Sequence, residues 1–593
     1  MVNRTTKLRW RRRLRRSRRQ VEDIGFQAEE HLERHLFRRL SRLPNVFRFT
    51  ISWIMLLALL IGLLVTQTRA LDNYYLTIGP AAGGTYVEGI LGSFTNANPL
   101  FATGSVDSSV THLVFSGLFK FNQQNQLVGD LASGYKVDDR GMTYTVQLKP
   151  SLKWQDGVAL TAEDVVYTYQ TIQNPDAQSP LAASWQGITV SATSSQTVVF
   201  TLPNALTAFP DSLTNGIVPK HLLQSVPMAR LRSDAFDTSR PVGSGPFKWQ
   251  AVQVTGQTPQ TREEEVALVP NELFYGDHAK LSKFIIKSFH DQNNLIQSFK
   301  NEQLNGVAGL TSVPADVTSD INVHEYDIPL NSEVMVFLKN SNPVLSDAKV
   351  RQALTMATDT GKVITSLGYP VIPAREPILK TQIGYDPSLV ELGYNPLAAE
   401  QMLTADGWVR GPGGTRLKAG QPLSFTLYGP DDSDYKAVAN ELQKEWKLIG
   451  VNAELVLQAP NDLQSIISVH GYDALLYGIE IGPDPDVFAY WASSQADVRS
   501  QTRLNFSEYK SATADAALEA GRTRSDPALR TIKYKPFLQA WHDDAPAISL
   551  YQPRFLYLTR GQVFGFDPTV MNVDTNRYAN VNNWMIRETR TLK

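Results

Sequence analysis

LVGDLASGYKVDDRGMTYTVQLKPSLKWQDGVALTAEDVVYTY, residues 127–169, carries the pattern from which the fold can be read. Met142, Tyr144, Val146 and Leu148 alternate with polar partners, the period of a strand with one buried face. Trp154-Gln155-Asp156-Gly157 ends the extended run, and Asp-Gly is a tight-turn pair. Thr161-Ala162-Glu163-Asp164 then reads as a capping box, in which Thr161 accepts from a first-turn N–H and Asp164 reaches back. Val165, Tyr169 and Ile172 follow at helical spacing.

The same alternation of strand and helix continues on both sides, without a repeat. Val198, Phe200 and Leu202 predict a strand, as do Leu423, Phe425 and Leu427, and then Ala453, Leu455 and Leu457. Residues 347–358 predict a helix that buries Val350, Leu354 and Ala357. Residues 434–449 place Val438, Leu442, Trp446 and Ile449 on one helix face, and Gly450 ends that helix just before a strand. Helix followed at once by strand is the order of an α/β lobe. Gly243-Ser244-Gly245-Pro246 predicts a rigid turn, the glycines supplying unusual backbone angles.

A chain of 593 residues exceeds one ordinary core, so two or three lobes are expected. Its composition, 42% hydrophobic and 19% charged, is that of a folded protein. The net charge of −1 hides an asymmetry. Residues 1–48 hold fifteen Arg or Lys against five Asp or Glu, which leaves the rest of the chain acidic. An acidic body argues against nucleic acid as its partner. With no cysteine, disulfides, thiolate metal sites, cysteine nucleophiles and a lipid anchor on a cysteine are excluded.

FTISWIMLLALLIGLLVTQT, residues 49–68, contains no charge. Its 20 residues match the roughly 30 Å of a bilayer's hydrocarbon core when helical. Trp53 lies near the start, where an amphipathic ring reaches the interface. A cleaved signal peptide would have a shorter apolar stretch and a shorter basic lead. Arg39, Arg42 and Arg48 flank one end, and Arg69 is the only basic residue for many positions beyond the other. The positive-inside rule therefore predicts a cytoplasmic tail and an extracytoplasmic body. Within the tail, Val21, Ile24, Ala28, Leu32, Leu36, Leu40 and Leu43 form a helical stripe that Pro44 interrupts. This stripe is either a surface for the inner leaflet or a partner, or incidental to a topology signal. The Arg run beside a membrane span suits anionic lipid. His31 and His35 sit four apart, but with no further ligand nearby they read as solvated.

At this level the chain resembles the family 5 extracellular solute-binding proteins, the peptide- and nickel-type receptors of ABC importers. The carrying segments run from about Ser93 to Asp567, in order. They include LGSFTNANPLFATGSVDSSVTHLVFSGLFKF (91–121), the 127–169 block, PVGSGPFKW (241–249), DAKVRQALTMATD (347–359), YNPLAAEQMLTADGW (394–408), ELQKEWKLIGVNAELVL (441–457), YDALLYGIEIGPDPDVFAYW (472–491) and DDAPAISLYQPRFLYL (543–558). The resemblance implies an α/β, bilobal periplasmic-binding-protein-like fold of type II with an extra subdomain, preceded by one transmembrane helix. The expected division is a cytoplasmic tail 1–48, the helix 49–68 and a linker 69–82. Lobe I would then comprise 83–330 and 545–593, with a subdomain about 113–200, and lobe II 331–544. Ligand would bind between lobes that close by a hinge, and the closed form would dock on an ABC permease.

The resemblance also points to ligand contacts. Thr103, Gly104 and Ser105 lie where the first lobe can run beside an extended ligand. Tyr477, Gly478, Tyr490 and Trp491 are expected near the ligand, the aromatic residues as apolar walls or as plain core. In many peptide-binding members an aspartate before the DPD-like motif pairs with the ligand's amine. Aligned on Pro485, that position is Ile481 here. Glu480 is adjacent and could substitute, and Asp484 matches the acid before the proline, either as a contact or as turn chemistry. No G-x-S-x-G elbow, HExxH pair, P-loop or G-x-G-x-x-G fingerprint occurs, so no enzyme, cofactor or metal is expected. Asp431, Asp432 and Asp434 precede a helix and fit capping. The expected function is a membrane-tethered receptor that captures oligopeptides for an importer. The alternatives are a receptor for a non-peptide solute and a sensing ectodomain that signals through the helix.

Overall fold

The computed structural model describes residues 47–256, 262–310, 312–500 and 503–592. The basic tail, with its stripe and histidines, lies outside the described residues. The chain divides into two units, 1–79 with 588–593 and 80–587.

In the first unit a single helix, Phe47–Tyr75, contains the apolar run. Phe49–Arg69 is long and apolar enough to cross a membrane, and none of it is buried in protein. The helix passes beyond Thr68 because no glycine or proline interrupts the chain before Gly79. The strand Leu76–Ala81 follows, hydrogen-bonded to the C-terminal strand Arg587–Leu592. Residues 69–82, expected as a linker, are thus largely helix and strand.

The second unit is the bilobal α/β body. Lobe I is built on a seven-stranded sheet with Thr85–Leu91 at its centre, flanked by Lys283–Phe289 and Gly306–Leu310, both parallel to it. Lobe II is built on a six-stranded sheet in the order Ile372–Pro373, Ala547–Gln552, Ser332–Leu338, Ala474–Glu480, Ser424–Pro430, Asn452–Gln458. Ser332–Leu338 is buried at every position because its sheet is covered on both faces. Val334, Val336 and Leu338 enter one core; Met335 and Phe337 enter the other. The chain crosses from lobe I to lobe II at Leu330–Asn331 and returns at Pro553. The return falls later than the expected residue 545, because Ala547–Gln552 pairs within lobe II.

The quoted block folds into the extra subdomain. Its four-stranded sheet runs in the order Ala132–Val137, Thr143–Leu148, Thr197–Thr201, Thr189–Ser194 and packs on the helix Ala162–Gln173. Gly157 has φ +91°, which the Asp156-Gly157 turn requires. The Asp164 carboxylate accepts from the N–H of Thr161 and of Lys220, each at 2.9 Å, so it caps this helix and fixes the next segment. Gly243 and Gly245 depart from expectation, since neither has a positive φ. They are needed for close approach instead: a Cβ at Gly243 would lie 1.9 Å from the Val114 carbonyl oxygen. That contact sets residues 241–247 against the end of the helix Ser105–Val114, at the base of the cleft.

Candidate functional site

A cavity of about 500 Å³ lies between the lobes. Lobe I supplies most of its lining, through Ser108, Thr111 and His112 of the helix Ser105–Val114, Lys120 of the strand Phe119–Phe121, and the segment 573–582. Lobe II supplies Glu480, the last residue of the strand Ala474–Glu480.

That strand pairs with Ser332–Leu338 along its full length, from Ser332↔Glu480 to Leu338↔Ala474. On its other edge it pairs with Ser424–Pro430 only at Ala474 and Leu475. From Leu476 onward this second edge meets no further strand among the described residues. An open strand edge can pair with an extended backbone; of this stretch Glu480 lies on the cavity lining, and the Gly478 backbone is hydrogen-bonded with the Tyr435 hydroxyl. Tyr477 and Gly478 lie on this stretch, both partly exposed. A side chain at Gly478 would come within 2.9 Å of the Tyr435 hydroxyl, so the position is held to glycine by crowding.

Of the nine residues expected to touch ligand, Glu480 is the one on the cavity lining. The residue is partly open to solvent at the strand end and makes no ion pair among the described residues. Desolvation by the surrounding walls raises its pKa, and the Asp574 charge adds to this. Thr103, Gly104 and Ser105 form an exposed shoulder at the start of the helix Ser105–Val114, beside the lining residue Ala102. Tyr490 is half-buried and its hydroxyl donates to the Glu480 carbonyl at 2.8 Å, so it positions the strand end.

Two expectations are corrected by the geometry. Trp491 is 0% exposed and packs between Phe337 and Trp541 in the core of lobe II, so it walls no pocket. Asp484 is taken by Arg530, whose two Nη atoms lie 2.6 Å from its two oxygens. Asp486 is held by Arg522 at 3.0 Å. Both acids of the DPD motif therefore fasten lobe II to itself. Ile481 is buried, and its N–H donates to the Asn331 carbonyl at 2.9 Å where the chain crosses between lobes. Asp432 caps its helix by accepting from the Asp434 N–H at 2.9 Å, as its place in the sequence predicted.

Other lining residues escaped the sequence reading. His112 is held neutral, its pKa lowered to about 4 by burial. Lys120 lies 3.5 Å from Asp130, which also accepts from the Tyr275 hydroxyl at 2.5 Å. Beneath this lining, Arg577 Nε meets Glu88 at 2.9 Å and Arg577 Nη2 meets Ser109 at 2.9 Å. Tyr578, itself on the lining, donates to the second Glu88 oxygen. Only Lys120 lay in a quoted motif with a visible signal, a charge inside the short apolar run Phe119-Lys120-Phe121.

The family described as "Bacterial extracellular solute-binding proteins, family 5 Middle" matches residues 126–500. The oligopeptide-binding protein AppA of Bacillus subtilis is 26% identical over 486 residues, 80% of this chain and 87% of AppA. The structure of B. subtilis AppA with a nonapeptide has a TM-score of 0.70 at 26% identity, covering 86% of this chain and 100% of that one. NikZ of Campylobacter jejuni, in complex with Ni(L-His), has a TM-score of 0.71 at 26% identity, covering 84% and 99%.

Proposed function

The chain belongs to the bacterial extracellular solute-binding proteins of family 5, substrate-binding proteins rather than enzymes, and from that premise we propose that it is a membrane-tethered receptor that captures peptides and delivers them to an ABC permease. The observation that carries this reading is the open edge of Ala474–Glu480 ending in an unpaired carboxylate on the interlobe cavity. The edge suits a peptide backbone of any sequence. Glu480 suits the cationic end, one residue before the position where the family resemblance leads one to expect an aspartate. Glu480 can serve there because Ile481 turns inward to the Asn331 carbonyl. Tyr477, Gly478 and the shoulder Thr103–Ser105 flank the path of the ligand.

The tether is the helix Phe47–Tyr75, with the basic tail in the cytoplasm and the body outside. With no cysteine for a lipid anchor, this helix is the means of holding the receptor beside its transporter. A small non-peptide solute is the second reading, favoured by a cavity at the modest end of the usual 300–1,000 Å³ range.

The test uses the full chain recovered in detergent from carbonate-washed membranes and titrated calorimetrically. An unmodified short peptide is expected to bind at least ~10-fold tighter than its N-acetyl counterpart, the scale of one charge-assisted hydrogen bond. Glu480→Gln is expected to erase that difference. Loss of the chain in the carbonate wash would reject the anchor. Equal weakening of both peptides by Glu480→Gln would reject Glu480 as the amine partner.

A further inference from the structure

The lobes also meet away from the cavity lining. Thr207 lies in lobe I, on the loop that follows the subdomain strand Thr197–Thr201. Its N–H donates to the Arg522 carbonyl at 3.1 Å, and its hydroxyl donates to the Arg524 carbonyl at 3.0 Å. Both acceptors belong to lobe II, at the end of the helix Ala512–Arg522. The last carbonyls of a helix have no partner within it, so two donors from lobe I complete the end of a lobe II helix. Thr207, Arg522 and Arg524 all lie off the cavity lining.

Each side of this contact is braced within its own lobe. In lobe I the Tyr144 hydroxyl donates to the Leu206 carbonyl at 2.8 Å, and the buried Phe209 ring packs against the Tyr144 ring. The same segment runs on into Thr214, Asn215 and Gly216 of the cavity lining. In lobe II Arg530 Nε donates to the Gly521 carbonyl at 3.0 Å. The Arg522 guanidinium lies over the Phe488 ring and pairs with Asp486. The acids of the DPD motif thus hold the surface on which lobe I docks.

Asp211 sits beside this contact, on the turn Phe209–Thr214 of lobe I. The lobe II charges that act on it are Asp484 and Arg530. Arg530 gives both Nη atoms to Asp484, and among the described residues it forms no ion pair with Asp211. Tyr135 of lobe I is the other titratable neighbour. Burial, with the Asp484 charge adding to it, pushes the Asp211 pKa up to about 7. A carboxyl in water titrates near 4. Its ionised form is therefore the one that this contact disfavours.

We propose that Thr207 and Asp211 are positioning residues for lobe closure, Thr207 latching lobe I onto the end of the helix Ala512–Arg522 and Asp211 opposing that contact when ionised, so that residues touching no ligand set part of the affinity. This assignment rests on the receptor reading given above and adds to it the contact that governs closure. Opening the lobes returns Asp211 to water and its pKa to the ordinary range. Closure is then unopposed below about pH 4, is opposed increasingly as pH rises to about 7, and changes no further above that.

Tri-alanine is titrated calorimetrically at pH 5 and pH 8 into the full chain and into Asp211→Asn and Thr207→Val. Hydrogen exchange of residues 203–214 is followed in the same proteins without ligand, because closure is what protects the Thr207 N–H. At pH 8 Asp211→Asn is expected to bind ~10-fold tighter than the wild type, an advantage that shrinks at pH 5. Thr207→Val is expected to bind about fivefold more weakly at both, the scale of one hydrogen bond. Without ligand, the segment is expected to exchange more slowly in Asp211→Asn at pH 8 and faster in Thr207→Val, after correction for intrinsic rates. A gain in affinity is a result that misfolding cannot give. The proposal is overturned if Asp211→Asn binds no tighter than the wild type at pH 8, if its advantage is as large at pH 5, or if exchange is the same in all three proteins. A wild type that binds no tri-alanine counts against the peptide reading, and the exchange rates then decide the latch by themselves.

Discussion

Arg577→Met is expected to lower the unfolding free energy by about 3–5 kcal/mol, the usual cost of breaking a buried ion pair from one side. Both Arg577 and Glu88 have side chains that are 0% exposed. Glu88 belongs to the central strand of the lobe I sheet, whereas Arg577 belongs to the C-terminal segment that lines the cavity. Removing Arg577 leaves the Glu88 carboxylate with the Tyr578 hydroxyl but with no countercharge. It also frees Ser109, on the helix that lines the same cavity. Replacing both members, Glu88→Leu with Arg577→Met, is expected to cost less than the single change, because no buried charge then remains. Urea unfolding followed by tryptophan fluorescence suits this test, since Trp584 packs against Tyr86, Phe284 and Tyr578 in this lobe. A single-variant loss below ~1 kcal/mol, or a double variant worse than the single one, would contradict the role given to the pair.

Glu376→Gln is expected to stabilise the protein at pH 8.5 by on the order of a few kcal/mol and to do little at pH 4. Glu376 is 1% exposed in lobe II, and burial pushes its pKa up to about 8. Glu391 and Glu333 are buried nearby and are also raised well above the usual range by burial. The folded chain therefore holds a proton on Glu376 that the unfolded chain has released once pH exceeds 4.5. Stability from this group is full below that pH and falls as pH rises toward 8, by ~1.4 kcal/mol per unit. Above pH 8 the fall stops, because both states are ionised. Glutamine removes the group from this balance, so its advantage grows over the same window. Urea midpoints at pH 4 and 8.5 measure it, and an effect of equal size at both would contradict the assignment.

The sequence announced most of the fold because its signals were local. The alternation through Met142–Leu148, the capping acid Asp164 and the helix stop at Gly450 each depend on neighbours in the chain, and each is found where expected. What stayed hidden depends on contacts across the chain. Gly243 looked like a residue chosen for backbone angle, but its reason is the carbonyl of Val114, far away in sequence. Asp484 could be read as a contact or as turn chemistry, and neither reading pointed to Arg530, which the helix Pro527–Asp544 brings to it. Trp491 belongs to a motif that touches the cleft, yet its ring faces the lobe core against Phe337. Lys120 and Glu480 are separated by most of the chain, and only the meeting of the two lobes sets them on one cavity.

The central claim is that the body holds peptides, and the molecule that the native protein carries tests it most directly. The full chain, purified in detergent without added ligand, is to be analysed by native mass spectrometry, followed by dissociation and sequencing of whatever is released. The account predicts a series of short unmodified peptides of mixed sequence, with free amino and carboxyl ends. Recovery of a nickel complex or another non-peptide solute in stoichiometric amount, with no peptide, would contradict it.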